Sequence, residues 1–240
     1  HHITVREIRQ TLRYQYGRAW SRKVRILLII GSVRDVEQLT PKLTQELWQE
    51  DQGTLLLWGG DPGAAVDNAW FTALRKLRYR PADGMVWITS GFDGVLTTMN
   101  RTKPRLTPDE MDSVSLSLKL RFEAIGWKLP LYVWSLYEGG NEKNGRITQP
   151  VGCLLPAGCT PQIVAEQFTA LASLLIEQGI QQICGQPQHN FLLALADQLT
   201  REAEAVVEPL SILLDPYRPL PLAGVVFSEA SVERSEEHTS

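Results

Sequence analysis

Much of the usual chemical equipment is missing from this chain. Of 240 residues only three are cysteine and four histidine. Cys153, Cys159 and Cys184 are odd in number, and their spacing fits neither a zinc site nor a redox pair, so reduced, packed or loop cysteines in a cytosolic compartment are expected. Apart from the terminal histidines, His189 is the only imidazole, and it falls at a predicted helix start, where capping or solvent exposure accounts for it. Ser90 and Ser135 lie near strand ends without a histidine in an obvious partner segment, which leaves no nucleophile–base pair to propose. Asp109, Glu110 and Asp112 open a helix, where carboxylates favour the positive end of its dipole, so they call for no catalytic role. No apolar stretch reaches the roughly 18 residues that a membrane-spanning helix needs, and no signal peptide is present.

Charge of one sign is also lacking. The formal net charge is -3, which gives no reason to expect nucleic acid or an anionic membrane as partner. Basic residues do cluster early, at Arg6, Arg9, Arg13, Arg18, Arg22, Lys23 and Arg25. Two readings fit them: a solvated helix face, or a contact with phosphate or lipid headgroups, for which a membrane span just upstream would supply the mechanism. Both ends read as foreign or cut. His1-His2 looks like the stub of a tag, and Arg234 to Ser240 looks like a translated sequencing adapter, so the chain is expected to be a fragment of something longer.

What is present is 43% hydrophobic and 21% charged, an ordinary globular balance with material for a core. The apolar run Arg25–Ile30 ends in Gly31 and a helix-like segment follows, the arrangement that precedes a phosphate-binding loop. Such a loop needs Gly, four free positions, then Gly-Lys-Ser/Thr. Here those last three positions hold Val36, Glu37 and Gln38. An anion would face an anion, and a β-branched residue would stand where positive φ is used.

Further strands are predicted at Leu55–Trp58, Met85–Thr89, Leu131–Trp134 and Val225–Phe227, with a possible short one at Ile180–Cys184. Helices are predicted at Thr4–Trp20, Thr40–Trp48, Asn68–Arg78, Thr107–Ile125, Pro161–Gln178 and Gln188–Glu208, and Val151–Thr160 reads as a loop. This alternation predicts right-handed βαβ units and a mostly parallel sheet. Trp58, Trp87 and Trp134 fall at or near strand ends on the edge where α/β sheets bind ligands. They pack in the core or form an aromatic patch for a protein partner.

Several junctions, in order, carry a resemblance. Trp70-Phe71 with Leu74 and Leu77 precedes Arg80-Pro81-Ala82-Asp83-Gly84-Met85-Val86; Gly126-Trp127-Lys128-Leu129-Pro130-Leu131-Tyr132-Val133 follows, and Leu222-Ala223-Gly224-Val225-Val226-Phe227-Ser228 comes late. Over roughly residues 20 to 230 the chain resembles the cytoplasmic domain of the TssM (IcmF) family, inner-membrane proteins of the type VI secretion system. The resemblance implies an α/β fold with a three-layer, mostly parallel, doubly wound sheet of the P-loop NTPase, GTPase-like type and a helical C-terminal part. The expected organisation is a basic amphipathic N-terminal helix over 1–22, a degenerate GTPase-like domain over 23–230 and a non-native tail over 231–240. Departures fall on the family's catalytic positions. Trp58-Gly59-Gly60-Asp61 replaces Asp-Thr-Ala-Gly, and Leu136-Tyr137-Glu138-Gly139 replaces Thr-Lys-Cys-Asp. Between the phosphate loop and the next strand there is too little chain for an ordinary first switch and an extra strand.

Phosphate, metal and base contacts are thus all expected to be lost, leaving no cofactor, no metal and no catalytic residue. The resemblance implies a scaffold domain on the cytoplasmic face of the bacterial inner membrane. It would dock TssL and TssJ in the membrane complex and baseplate proteins such as TssK and TssA, without nucleic acid. Phe92 and Tyr137, in loops expected at the sheet's C-terminal edge, are the candidate partner-binding residues. The alternatives are an active P-loop hydrolase of ATP or GTP with unconventional residues, where Arg34 is the only local cation, and an unrelated Rossmann-like or flavodoxin-like enzyme, for which Gly31-Ser32-Val33 is a poor fingerprint.

Overall fold

The computed structural model describes residues 1–90, 92, 106–137, 149–185 and 190–230. His189, Glu138, Gly139 and the tail 231–240 lie outside the described residues. In chain order the elements are α1 (His2–Tyr16), α2 (Trp20–Lys23), β1 (Arg25–Gly31), α3 (Val33–Leu39), α4 (Leu43–Glu46), β2 (Trp48–Asp51), β3 (Thr54–Trp58) and α5 (Asn68–Leu74). They continue as β4 (Gly84–Thr89), α6 (Pro108–Ile125), β5 (Leu131–Tyr137), β6 (Val151–Leu154), α7 (Pro161–Gly185), α8 (Phe191–Arg201), α9 (Ala203–Leu213) and β7 (Leu222–Glu229).

This is a mixed α/β fold. Its seven-stranded, mostly parallel sheet has the order β2-β3-β1-β4-β5-β7-β6. β1 runs parallel to both β3 and β4, while β2 is antiparallel to β3 and β6 to β7. The apolar runs that predict β1 and β4 do so because parallel strands covered on both faces are hydrophobic throughout. Every residue of β4 is buried.

The chain divides into two compact units. The first comprises His1–Ile88 and Ser113–Tyr132. In it α1 buries Val5, Ile8 and Leu12, the apolar stripe of the amphipathic pattern. The Tyr16 hydroxyl donates to Glu50 at the end of β2 and accepts from the Gly53 amide (2.8 Å), which ties the end of α1 to the β2–β3 turn. That bond to Glu50, and burial after it, raise the Tyr16 pKa. Helix α5 starts on Asp67, whose carboxylate accepts from the Trp70 amide (3.1 Å).

The second unit comprises the described residues of Thr89–Asp112 and Val133–Ser240. Its core gathers Tyr137, Phe168, Phe191 and Phe227, with the Phe168 and Phe227 rings edge to face at 5.5 Å. Helices α7 and α8 meet at Gly179, where a Cβ would lie 2.6 Å from Leu193 Cγ.

Several expectations are corrected. Thr40–Trp48 is not one helix: α3 ends at Leu39, the short α4 follows, and Trp48 begins strand β2. An extra strand therefore does fit between β1 and β3. It is short and polar, recruited by antiparallel pairing with β3 in the register Trp48↔Leu57 to Asp51↔Thr54. Ile180–Cys184 is the end of α7, not a strand, because the helix continues through Gly179. Val151–Leu154 is strand β6, paired with β7, although Val151–Thr160 reads as loop. The helix expected over 188–208 is two, broken at Glu202, which has non-helical φ of -125°.

Candidate functional site

The place to test for a nucleotide site is the C-terminal end of β1. Gly31 is the last residue of the strand. Ser32 is extended, with φ -64° and ψ 149°, and its hydroxyl accepts from the Asp35 amide (3.1 Å) as the N-cap of α3. One residue thus separates strand from helix. A phosphate cradle needs several successive backbone amides curved around the anion, and a one-residue junction has no length for that nest.

The space is also occupied. A Cβ on Gly31 would lie 2.7 Å from the Ile88 carbonyl oxygen and 2.9 Å from Val36 Cγ2, so glycine is required by close packing here. Val36 is fully buried against it. Aliphatic carbon stands where a bound phosphate would need donors. The Gly31 amide is itself used, donating to Gly60 O (3.2 Å). Glu37, next in α3, is half-buried and Arg34 is exposed.

The loop after β3 is held as firmly. The Gly59 amide donates to Ile29 O (2.7 Å), lacing the loop to β1. Trp58 O accepts from the Trp70 indole N–H (2.8 Å). Gly60 has φ +93°, and the Asp61 carboxylate accepts from the Gly63 amide (2.8 Å), closing an Asx turn.

Arg121, on α6, is 1% exposed and reaches into this loop. Its Nε donates to Gly59 O (2.8 Å), and its Nη2 to Asp61 O (2.8 Å) and Ala64 O (3.4 Å). Nη1 donates to Ser117 O (3.3 Å) and to the Ser117 hydroxyl. Among the described residues no carboxylate lies within ion-pairing distance of Arg121. Burial pulls its pKa below the ordinary value, and the more distant Asp61 charge opposes that shift. A buried cation needs its charge solvated, and carbonyl oxygens do that here. Three of these donated bonds fix the loop after β3 to α6, and the two to Ser117 hold the guanidinium in place.

The two residues singled out for partner binding are not surface groups. Phe92 is 3% exposed and Tyr137 1%. Tyr137 is not in a loop but is the last residue of β5, where its carbonyl accepts from the Ala230 amide (2.7 Å). Its ring lies 5.8 Å from Phe191 and 6.2 Å from Phe227. Aromatic rings at strand ends fill a core more profitably than they meet water, so a charge at either position would be buried rather than presented.

The tryptophans divide similarly. Trp87 is buried, and Trp134, half-buried, donates to the Ser228 hydroxyl (2.7 Å). Cys153 and Cys159 are free thiols, and burial pushes Cys153 up to about 11, which keeps it protonated at neutral pH. Among the described residues no group of three or more His, Cys, Asp or Glu side chains could hold a metal ion, and no helix is long and apolar enough to cross a membrane. Comparison with protein-family models, with curated proteins and with solved structures finds no match to this chain.

Proposed function

We propose that this chain is a nucleotide-free, GTPase-like scaffold module that acts by docking other proteins. The observation that carries the reading is the junction at Gly31–Ser32–Val33. The strand-turn-helix of a phosphate site is kept, but the turn is one residue long and Val36 fills it. The sheet supports the fold type proposed: β1 lies centrally between parallel β3 and β4 and delivers its C-terminal end to the following helix. The Arg121 clamp supports a static role, since a loop with that many bonds to one buried cation does not exchange easily between two shapes.

The resemblance to the TssM (IcmF) family gives the reading its context. In that context the domain belongs to the cytoplasmic side of a type VI secretion membrane complex. Its proposed partners are TssL and TssJ, together with baseplate proteins such as TssK and TssA. With Phe92 and Tyr137 buried, the docking surface lies on other residues.

The test is binding of the immobilised domain to each of these components, measured by biolayer interferometry without nucleotide and with magnesium and GTP, GDP or ATP. The expected result is saturable binding to at least one component with the same affinity in every condition. Failure to bind any of them would remove the secretion role. A nucleotide-dependent affinity would remove the nucleotide-free one.

A further inference from the structure

We propose that the N-terminal edge of the first unit's strands is a docking face for an anionic phospholipid surface. Three chain segments far apart in sequence meet there. Arg78 staples the first two: its guanidinium donates to Ser21 O (3.0 Å) and Val24 O (3.1 Å) and pairs with Asp83 at 2.7 Å. Asp83 in turn accepts from the Ile26 amide (2.8 Å). The third segment joins through aromatic rings, with Tyr79 edge-on to Trp127 at 5.4 Å and the Arg80 guanidinium 6.0 Å from the Trp127 ring centre. Arg75 lies along Gly126, whose φ of +78° ends α6.

Each segment brings exposed cations to this edge. The first carries Arg22, Lys23 and Arg25, the second Arg75, Lys76 and Arg80, and the third Lys128. The acidic groups around them are fewer. Asp83 is taken by Arg78 and Glu50 by Tyr16, which leaves Asp51 at the β2–β3 turn and Glu123 on α6 exposed. Among the described residues none of the seven cations forms an ion pair. In a chain of net charge -3, this concentration of unpaired positive charge is local and directional.

The aromatic geometry selects the partner. A single-stranded nucleic acid would need open ring faces for base stacking. Here Arg80 lies over the Trp127 ring and Tyr79 meets it edge-on. Tyr79 is nonetheless 91% exposed, an amphipathic ring beside basic side chains, the combination that settles at the headgroup level of a bilayer. Contact would be peripheral, because the apolar face of α1 is already buried in the fold. The inference does not rest on the proposed secretion role, and its test uses no secretion partner.

The experiment is flotation of the whole chain with phosphatidylcholine vesicles containing about one-third phosphatidylglycerol, beside vesicles of phosphatidylcholine alone. The chain should float with the anionic vesicles, stay behind with the neutral ones, and be released by about 0.5 M salt. The triple variant R22E/K23E/R25E should partition at least about tenfold less while melting as the wild type does, and Tyr79→Ser should lose a few-fold. Arg78 is left intact because it holds the segments together. If the triple variant melts early, the pair Lys76→Glu and Lys128→Glu, on separate segments, gives the same reading. Equal flotation with neutral vesicles, unchanged flotation of the charge-reversed variants, or displacement from vesicles by micromolar single-stranded oligonucleotide would each overturn the proposal.

Discussion

Arg121 is the residue on which the loop after β3 depends, and its neighbours set what its loss would cost. Replacing it with Met keeps most of the volume and removes the burden of a buried charge, a change that can be neutral where the charge was merely paired. Here it would strip Gly59 O and Asp61 O of their donors inside the fold. An unsatisfied buried carbonyl costs about 1–3 kcal/mol, so two of them outweigh the gain from discarding the charge. Arg121→Met is expected to lower unfolding free energy by about 2–4 kcal/mol in urea titration, with faster amide exchange in residues 59–64. Wild-type stability in that variant would mean the clamp is ornamental. The sequence does carry a signal for this residue. Leu118, Phe122 and Ile125 form a buried helical stripe, and Arg121 interrupts it at the spacing that faces the core. A charge inside an apolar stripe must find a partner, and here the partners are backbone carbonyls about 60 residues earlier, which no spacing pattern announces.

Among the elements, what was legible follows burial. Strands covered on both faces announce themselves as apolar runs, and the Thr107–Glu110 capping box marks the start of α6, with the Glu110 amide donating to the Thr107 hydroxyl at 3.2 Å. The edge strands were not legible. Trp48-Gln49-Glu50-Asp51 and Val151-Gly152-Cys153-Leu154 are short and carry polar or small residues, and pairing with a neighbour makes them strands. Ile180 to Cys184 has the composition of a β run, yet it is the end of α7 because the helix continues through Gly179. Gly179 is the point where α8 comes close, with Leu193 N 3.0 Å from a Cβ built there. That sets two effects against each other in Gly179→Ala. Helix propensity favours alanine by about 1 kcal/mol. Crowding against Leu193, whose backbone nitrogen cannot rotate away as its side chain can, costs about 1–3 kcal/mol. Crowding wins, and the variant is expected to melt below the wild type in a calorimetric scan; a rise in Tm would show that the helices separate freely.

For the whole molecule, the question is whether a nucleotide can add stability. A ligand that binds only the folded state stabilises it by RT ln(1 + [L]/Kd), so a site with a dissociation constant of about 10 µM, given about 1 mM nucleotide, would contribute about 2.7 kcal/mol. In a protein of this size each kcal/mol raises Tm by roughly 2–4 °C, so such a site would raise it by roughly 5–11 °C, well within what a thermal melt resolves. Among the described residues, the end of β1 offers no source for such a term. The β1–α3 junction has one residue, its strand-end amide is committed to Gly60 O, and Val36 covers it with carbon. Glu37, next in α3 after Val36, brings a carboxylate and not a cation to this helix. Restoring a cation alone would not rebuild the missing backbone nest, so Glu37→Lys is expected to behave as the wild type does. Both proteins should melt at the same temperature with and without magnesium and GTP or ATP at about 1 mM. A shift of several degrees in the wild type would show that phosphate groups find donors elsewhere in the chain. A shift confined to Glu37→Lys would show that charge, and not the length of the turn, is what closes the site.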